Sequence, residues 1–147
     1  MSTLTPSTLS KVLLYTASLA NLGSVIGHTA MGYEIVFPAL NKLLGVNGKG
    51  VDGKGVNVNG KEAKKDRDGA VSARIGWMEV NSGFVILSIF CIKWAQLGIV
   101  DVYDKVFVSF YCLAQAYFGW CYIKAGIVNP VAVLWGIPAL VGVSQLV

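Results

Sequence analysis

Long runs of apolar residues constrain this chain more than any other feature of its sequence. A transmembrane helix needs about 20 consecutive, mainly apolar residues, and four runs of roughly that length are present. We therefore predict an all-α, integral-membrane four-helix bundle that forms a single domain, 1–147. The predicted spans are 12–37, 75–97, 106–123 and 130–147.

The composition supports a membrane protein. Of the 147 residues, 54% are hydrophobic and 14% are charged, whereas a soluble domain carries about 25% charged residues. The net charge of +4 comes mainly from one polar segment, 41–73, so we expect no nucleic-acid partner. The three cysteines lie in apolar segments and there is a single histidine, so neither a disulfide framework nor a metal site is predicted.

The polar segment 41–73 determines the predicted orientation. Its Gly, Asn and Lys content argues against a packed core. Because loops rich in Lys and Arg stay in the cytosol, we expect this loop to be cytosolic and both termini to be lumenal. Eight basic residues lie in or beside it: Lys42, Lys49, Lys54, Lys61, Lys64, Lys65, Arg67 and Arg74.

Two carboxylates at membrane depth are the strongest functional signal. An ionisable group there costs several kcal/mol unless it is paired, hydrated or neutralised. Glu34 lies near the cytosolic end of the first span and Glu79 near the cytosolic start of the second. In one shared cavity, one carboxyl group could donate a proton to a lipophilic substrate while the other stays ionised. Alternatively, both lie at the interface, solvated or paired with Arg74 or Lys42.

His28 and Tyr117 also lie in predicted spans, and each has two interpretations. His28 is either a proton relay or a polar residue that bonds to a neighbouring helix. Tyr117 either orients a substrate or belongs to the aromatic belt at the membrane interface. Trp77 and Asn81 flank Glu79 in the sequence and are candidates for substrate binding.

Two short motifs and the layout of the spans carry a family resemblance. Arg74 precedes Asn81 by seven residues at the entry to the second span, and Tyr117 is followed by Phe118 and Gly119 in the third. One span, a long polar loop and three closely spaced spans complete the pattern. The chain thus resembles the MAPEG family, the membrane-associated proteins of eicosanoid and glutathione metabolism. The resemblance implies a homotrimer of the endoplasmic reticulum, with pockets between protomers.

Most of the glutathione ligands of that family have no counterpart. Its transferases place a Glu three residues after the Asn and an Arg three residues before the Tyr, where this chain has Phe84 and Ala114. Only Lys124 lies near the position of the Arg that activates the glutathione thiol. A tripeptide with two carboxylates needs cationic partners, so glutathione is disfavoured and no other cofactor is expected.

Together these features predict a membrane enzyme on a MAPEG-like scaffold. Its substrate is a lipophilic small molecule, and its reaction is epoxide opening, cyclisation or isomerisation. Two alternatives stay open: a MAPEG-type glutathione transferase or peroxidase, and a non-catalytic membrane subunit or lipid-binding scaffold. The predicted catalytic residues are Glu79, Glu34 and Tyr117. The predicted substrate-binding residues are Asn81, Arg74, Trp77, His28 and Gln115.

Overall fold

The chain is built from helices. The structure, a computed structural model, describes the backbone of residues 5–43 and 61–147 and the side chains of residues 5–42 and 67–147. Within these ranges every regular element is helical. The elements are α1 (Thr8–Met31), a π-helical turn (Gly32–Val36), α2 (Phe37–Leu43), α3 (Lys61–Leu97), α4 (Val102–Lys124) and α5 (Val131–Val143).

Three helical segments are long and apolar enough to cross a membrane, which confirms the prediction of an all-helical membrane protein. They are Thr8–Lys42, Arg67–Leu97 and Val102–Lys124. Each segment contains an apolar stretch of 18 residues, and only 28%, 11% and 11% of these three stretches, respectively, is buried inside the protein. Lipid or another chain must cover the rest. The fourth predicted span contains the 13-residue helix α5, which rises about 20 Å and is shorter than the roughly 30 Å hydrocarbon core.

The π-helical turn between α1 and α2 has a cause in the sequence. Pro38 has no amide hydrogen, and in a regular α-helix its ring would clash with the carbonyl group of Glu34. In the π-turn, the Phe37 N–H donates to the carbonyl of Gly32, five residues back. The turn thus takes up one extra residue before the proline, and the helix continues to Leu43.

Helix α3 is longer than the predicted span 75–97. It begins at Lys61, so the segment 61–73, which the sequence analysis assigned to the polar loop, is helical. Lys, Glu, Arg and Ala dominate this segment, and all four residue types favour helix. The rest of the predicted loop, 44–60, lies outside the described residues. With 37 residues, α3 is about 55 Å long, which exceeds the thickness of a bilayer core.

Local signals fix the ends of α3 and α4. Gly98 follows α3 with a φ of 80°, in the left-handed region that favours glycine. Asp101 caps α4, because its carboxylate accepts a hydrogen bond from the Asp104 N–H at 2.7 Å. Gly126, with a φ of 74°, ends α4 in a Schellman turn that satisfies carbonyl groups of the last helical turn.

The helices contribute to two compact units. The first unit comprises Met1–Ser24 and Phe84–Val147, and the second comprises Val25–Gly83. The first unit has a buried core to which α1, α3, α4 and α5 all contribute. Its members are Leu14, Ala17, Cys91, Trp94, Ala95, Tyr111, Ile137 and Val141.

Polar side chains are buried beside this core. The hydroxyl oxygens of Ser18 and Ser88 lie 2.6 Å apart in a hydrogen bond that links α1 to α3. Asn21 is fully buried and donates to the Ala17 carbonyl at 3.1 Å. Because lipid chains are as apolar as helix surfaces, close packing and interhelical hydrogen bonds drive helix association in a membrane. Both contributions are present in this unit.

Helices α4 and α5 pack through a close contact between Trp135 and Gly119. The Trp135 indole N–H lies 3.4 Å from the Ala116 carbonyl, to which it donates. A Cβ atom on residue 119 would overlap the indole ring, so glycine is required for this approach.

An ion pair connects α3 to α4. Lys93 Nζ lies 2.7 Å from Asp104 Oδ1, and the Asp104 side chain is only 3% exposed. The Trp94 indole lies beside the same carboxylate. Removal of one member of a buried pair leaves an uncompensated charge, which costs more than the removal of both.

Replacement of Lys93 with Met is expected to destabilise the protein by about 2–4 kcal/mol, because Asp104 would stay buried without its cation. The double variant Lys93→Met/Asp104→Leu should regain much of this loss. Thermal unfolding of the purified protein in one detergent measures both variants. Lys124→Met is the control, since Lys124 is exposed and contacts the Trp120 ring. Equal unfolding temperatures for Lys93→Met and the control would contradict the role of the pair.

Candidate functional site

A polar cluster joins α1 and α3 within the unit Val25–Gly83. The rings of His28 and Trp77 stack, with centroids 4.1 Å apart and planes 8° from parallel. The Trp77 indole N–H also donates to the backbone carbonyl of His28 at 3.1 Å. The stacking and the hydrogen bond together hold the imidazole against the face of the indole.

Asn81 extends the cluster through two hydrogen bonds. Its amide nitrogen donates to Thr29 Oγ1 at 3.0 Å, and its amide oxygen lies 3.1 Å from His28 Nδ1. Because an amide oxygen can only accept, His28 Nδ1 is the donor in the second bond. The cluster therefore places a proton on Nδ1 and fixes the orientation of the ring.

Gly32 provides the space that Trp77 occupies. Gly32 is buried, and a Cβ atom there would lie 2.6 Å from Trp77 Nε1, closer than van der Waals contact permits. Sequence reasoning missed Gly32 and Thr29. Helical spacing could have identified Gly32, since it follows His28 by four residues and shares its face of the helix.

Arg74 joins the same helix–helix contact. Its guanidinium carbon lies 4.6 Å from the centre of the Phe37 ring, which is a cation–π contact. Arg74, Trp77 and Asn81 stand at i, i+3 and i+7, so they share one face of α3. The structure thus brings together four of the predicted substrate-binding residues, His28 on α1 and Arg74, Trp77 and Asn81 on α3.

Glu79 is directed away from this cluster. It stands two residues from both Trp77 and Asn81, which places it roughly 200° around the helix from each. Its side chain is exposed. Asn81 and Trp77 therefore do not share a pocket with the Glu79 carboxylate inside one unit of the chain.

Glu34 is also exposed, in the π-helical turn. Among the described side chains, the ion pairs are Arg67–Asp68 and Lys93–Asp104. Neither Glu34 nor Glu79 therefore pairs with Arg74 or Lys42 among the described side chains, and the alternative in which both carboxylates are solvated at the interface stays open. The acid/base role of the two carboxylates stays a prediction.

Small residues surround Glu79 on its face of α3. Ser72, Gly76 and Gly83 lie seven and three residues before it and four residues after it, within about 60° of its direction. No other part of the described chain lies within 4 Å of a Cβ position at Gly76 or Gly83. A second helix could therefore approach this face closely.

Tyr117 and Gln115 belong to the other unit, Met1–Ser24 and Phe84–Val147. The Tyr117 side chain is 63% exposed and contacts the edge of the Phe118 ring. Gln115 is half-buried, and its side-chain oxygen has no hydrogen-bond partner among the described residues. These contacts do not test the predicted roles of Tyr117 and Gln115 at a substrate, which stay predictions.

Within residues 5–42 and 67–147, no group of three or more His, Cys, Asp or Glu side chains is arranged to hold a metal ion. Comparison of the chain with protein-family models, curated proteins and solved structures found no match.

Replacement of Gly32 with Ala is expected to destabilise the protein by about 1–3 kcal/mol, because the new methyl group would displace Trp77 from the His28 carbonyl. Gly27→Ala in the preceding helix α1 is the matched control, since nothing lies within 4 Å of its Cβ position. That variant should be neutral or slightly stabilised, because alanine favours helix. Thermal unfolding measures both. A stable Gly32→Ala protein would mean that Trp77 is not packed against this backbone.

Replacement of Asn81 with Ala is expected to cost about 1–2 kcal/mol, because the His28 imidazole and the Thr29 hydroxyl lose a partner. A double-mutant cycle with Thr29→Val should give a coupling energy of about 0.5–1 kcal/mol. Ser82→Ala serves as the control, since Ser82 is exposed and bonds to a carbonyl of its own helix. Strictly additive effects of the two changes would rule out the Asn81–Thr29 bond.

Proposed function

We propose that this protein is a membrane-embedded homo-oligomeric enzyme that performs acid/base chemistry on a lipophilic small molecule. In this proposal Glu79 is the principal acid or base and Glu34 is its partner. The scaffold is MAPEG-like, without most of that family's glutathione ligands. Residence in the endoplasmic reticulum, a cytosolic 41–73 loop, lumenal termini and a homotrimeric assembly belong to the same proposal.

The position of Glu79 is the observation that carries the proposal. Glu79 is exposed on the outer face of α3, in a segment apolar enough to cross a membrane. A carboxylate that faces lipid is costly, so such residues usually face a protein interior or a hydrated cavity. A second copy of the chain, packed along the small residues Ser72, Gly76 and Gly83, would supply that interior.

The polar cluster on the opposite face of α3 then positions the helix that carries Glu79. His28, Trp77 and Asn81 fasten α3 to the first helical segment through a ring stack and hydrogen bonds. The site would form on the other face of α3, at the boundary between copies. The proposal keeps for Tyr117, whose side chain is exposed, its predicted role at the substrate.

Epoxide opening illustrates the chemistry. The protonated Glu79 carboxyl group donates its proton to the epoxide oxygen while the carbon–oxygen bond breaks. The Glu34 carboxylate accepts a proton from the water molecule that attacks the carbon. The two carboxyl groups exchange protonation states, and solvent restores them. Cyclisation or double-bond isomerisation needs the same pair, with the proton removed from carbon instead of water.

Replacement of Glu79 with Gln is expected to lower turnover of a lipophilic epoxide by at least about 100-fold, the usual contribution of a positioned acid or base. Asp68→Asn is the control, since Asp68 is an exposed acid on the same helix. A panel of lipophilic epoxides and polyenes, assayed with nanodisc-embedded protein, supplies the substrate. Light scattering shows whether both variants keep the wild-type assembly.

Two outcomes would overturn this proposal. Wild-type turnover in Glu79→Gln would remove Glu79 from the chemistry, and a monomeric wild-type protein would remove the interface. Micromolar glutathione binding would instead favour a glutathione transferase with divergent ligands. Stable co-purification with other subunits, without turnover, would favour a structural membrane subunit.

A further inference from the structure

A cavity of about 1090 Å³ lies in the unit formed by Met1–Ser24 and Phe84–Val147. It lies where the segment before α1, the turn between α3 and α4, and the end of the chain come together. Its volume is at the upper end of the range for small-molecule sites. None of the residues assigned to the acid/base site lines it.

The deep wall of the cavity is apolar. Leu14 and Trp94 are 1% and 0% exposed, and the more exposed Leu97, Ile99 and Val147 extend the apolar lining. A wall of this kind suits an acyl chain.

The rim of the cavity carries one charge of each sign. Asp101 and Lys105 both line it, and they stand one helical turn apart at the start of α4. No ion pair joins the two side chains in the described structure, whose ion pairs are Arg67–Asp68 and Lys93–Asp104. Asp101 uses one carboxylate oxygen to cap α4, which leaves the other oxygen for a ligand.

We propose that this cavity binds a zwitterionic phospholipid. The Lys105 ammonium group binds the phosphate, and the Asp101 carboxylate binds the ammonium group of the headgroup. The acyl chain lies against Leu14, Trp94 and Val147. A free phosphate ion or a fatty acid would match only part of this arrangement, since neither pairs with Asp101.

Three single-chain lipids with the same acyl chain test the headgroup assignment. Lysophosphatidylethanolamine carries both charges, lysophosphatidic acid carries only the phosphate, and monoacylglycerol carries neither. Native mass spectrometry of the full chain, released from detergent with an equimolar mixture, measures how much of each is retained. We expect retention to fall in that order, with about a tenfold preference for each added charge contact.

Two variants separate the charges. Lys105→Met removes the phosphate contact, so it should abolish the preference for lysophosphatidic acid over monoacylglycerol and leave lysophosphatidylethanolamine only the contact with Asp101. Asp101→Asn keeps the helix cap, since Asn and Asp cap equally well, but should abolish the preference for lysophosphatidylethanolamine over lysophosphatidic acid. Lys124→Met, a change outside the cavity, should alter neither preference. Val147→Trp fills the cavity from an exposed position and should lower retention of all three lipids.

Equal retention of the three lipids by the wild-type chain would overturn the proposal, and so would preferences that survive both charge variants. None of these outcomes involves Glu79, so they are independent of the acid/base proposal.

Discussion

Hydrogen bonds between polar side chains hold α1 against α3, and the candidate site depends on them. In a bilayer, contact between two apolar helix surfaces only replaces one apolar neighbour with another, so it gives little preference for a particular partner. A hydroxyl pair such as Ser18–Ser88, or an amide such as Asn81 between His28 and Thr29, has few alternative partners in lipid. Such contacts select one rotation of each helix about its axis. That rotation determines which side chains of α3 face outward, and Glu79 is one of them.

The two kinds of polar group in this chain therefore have different consequences. Ser18, Asn21 and Asn81 are buried or half-buried and have partners within the chain. Glu34 and Glu79 are exposed and have no ion-pair partner among the described side chains. The first kind stabilises the fold of one copy. For the second kind we propose that a second copy of the chain supplies the polar or hydrated surroundings that lipid lacks.

Much of the fold could be predicted from the sequence, because hydrophobic runs of membrane length have few alternative structures. The direction of Glu79 was also available in principle, since the spacing of Trp77, Glu79 and Asn81 places the acid on the opposite face. The contact of Gly32 with Trp77 could not be predicted, because it joins residues far apart in the sequence. The helical start of α3 at Lys61 differs from the predicted loop, because the charge and glycine that indicate a loop are outweighed by the Lys, Glu, Arg and Ala of 61–73, which favour helix.

The short helix α5 has a consequence for the bilayer itself. Its 13 residues rise only about 20 Å, whereas the hydrocarbon region is about 30 Å thick. In the predicted four-span arrangement, the lipid around α5 becomes thinner, or the residues beyond the ends of α5 complete the crossing in a less regular form. Deformation of this kind costs a fraction of a kcal/mol for each ångström of mismatch. The cost is lower in a thin bilayer than in a thick, sterol-rich one, so in the four-span arrangement the length of α5 favours a thin membrane.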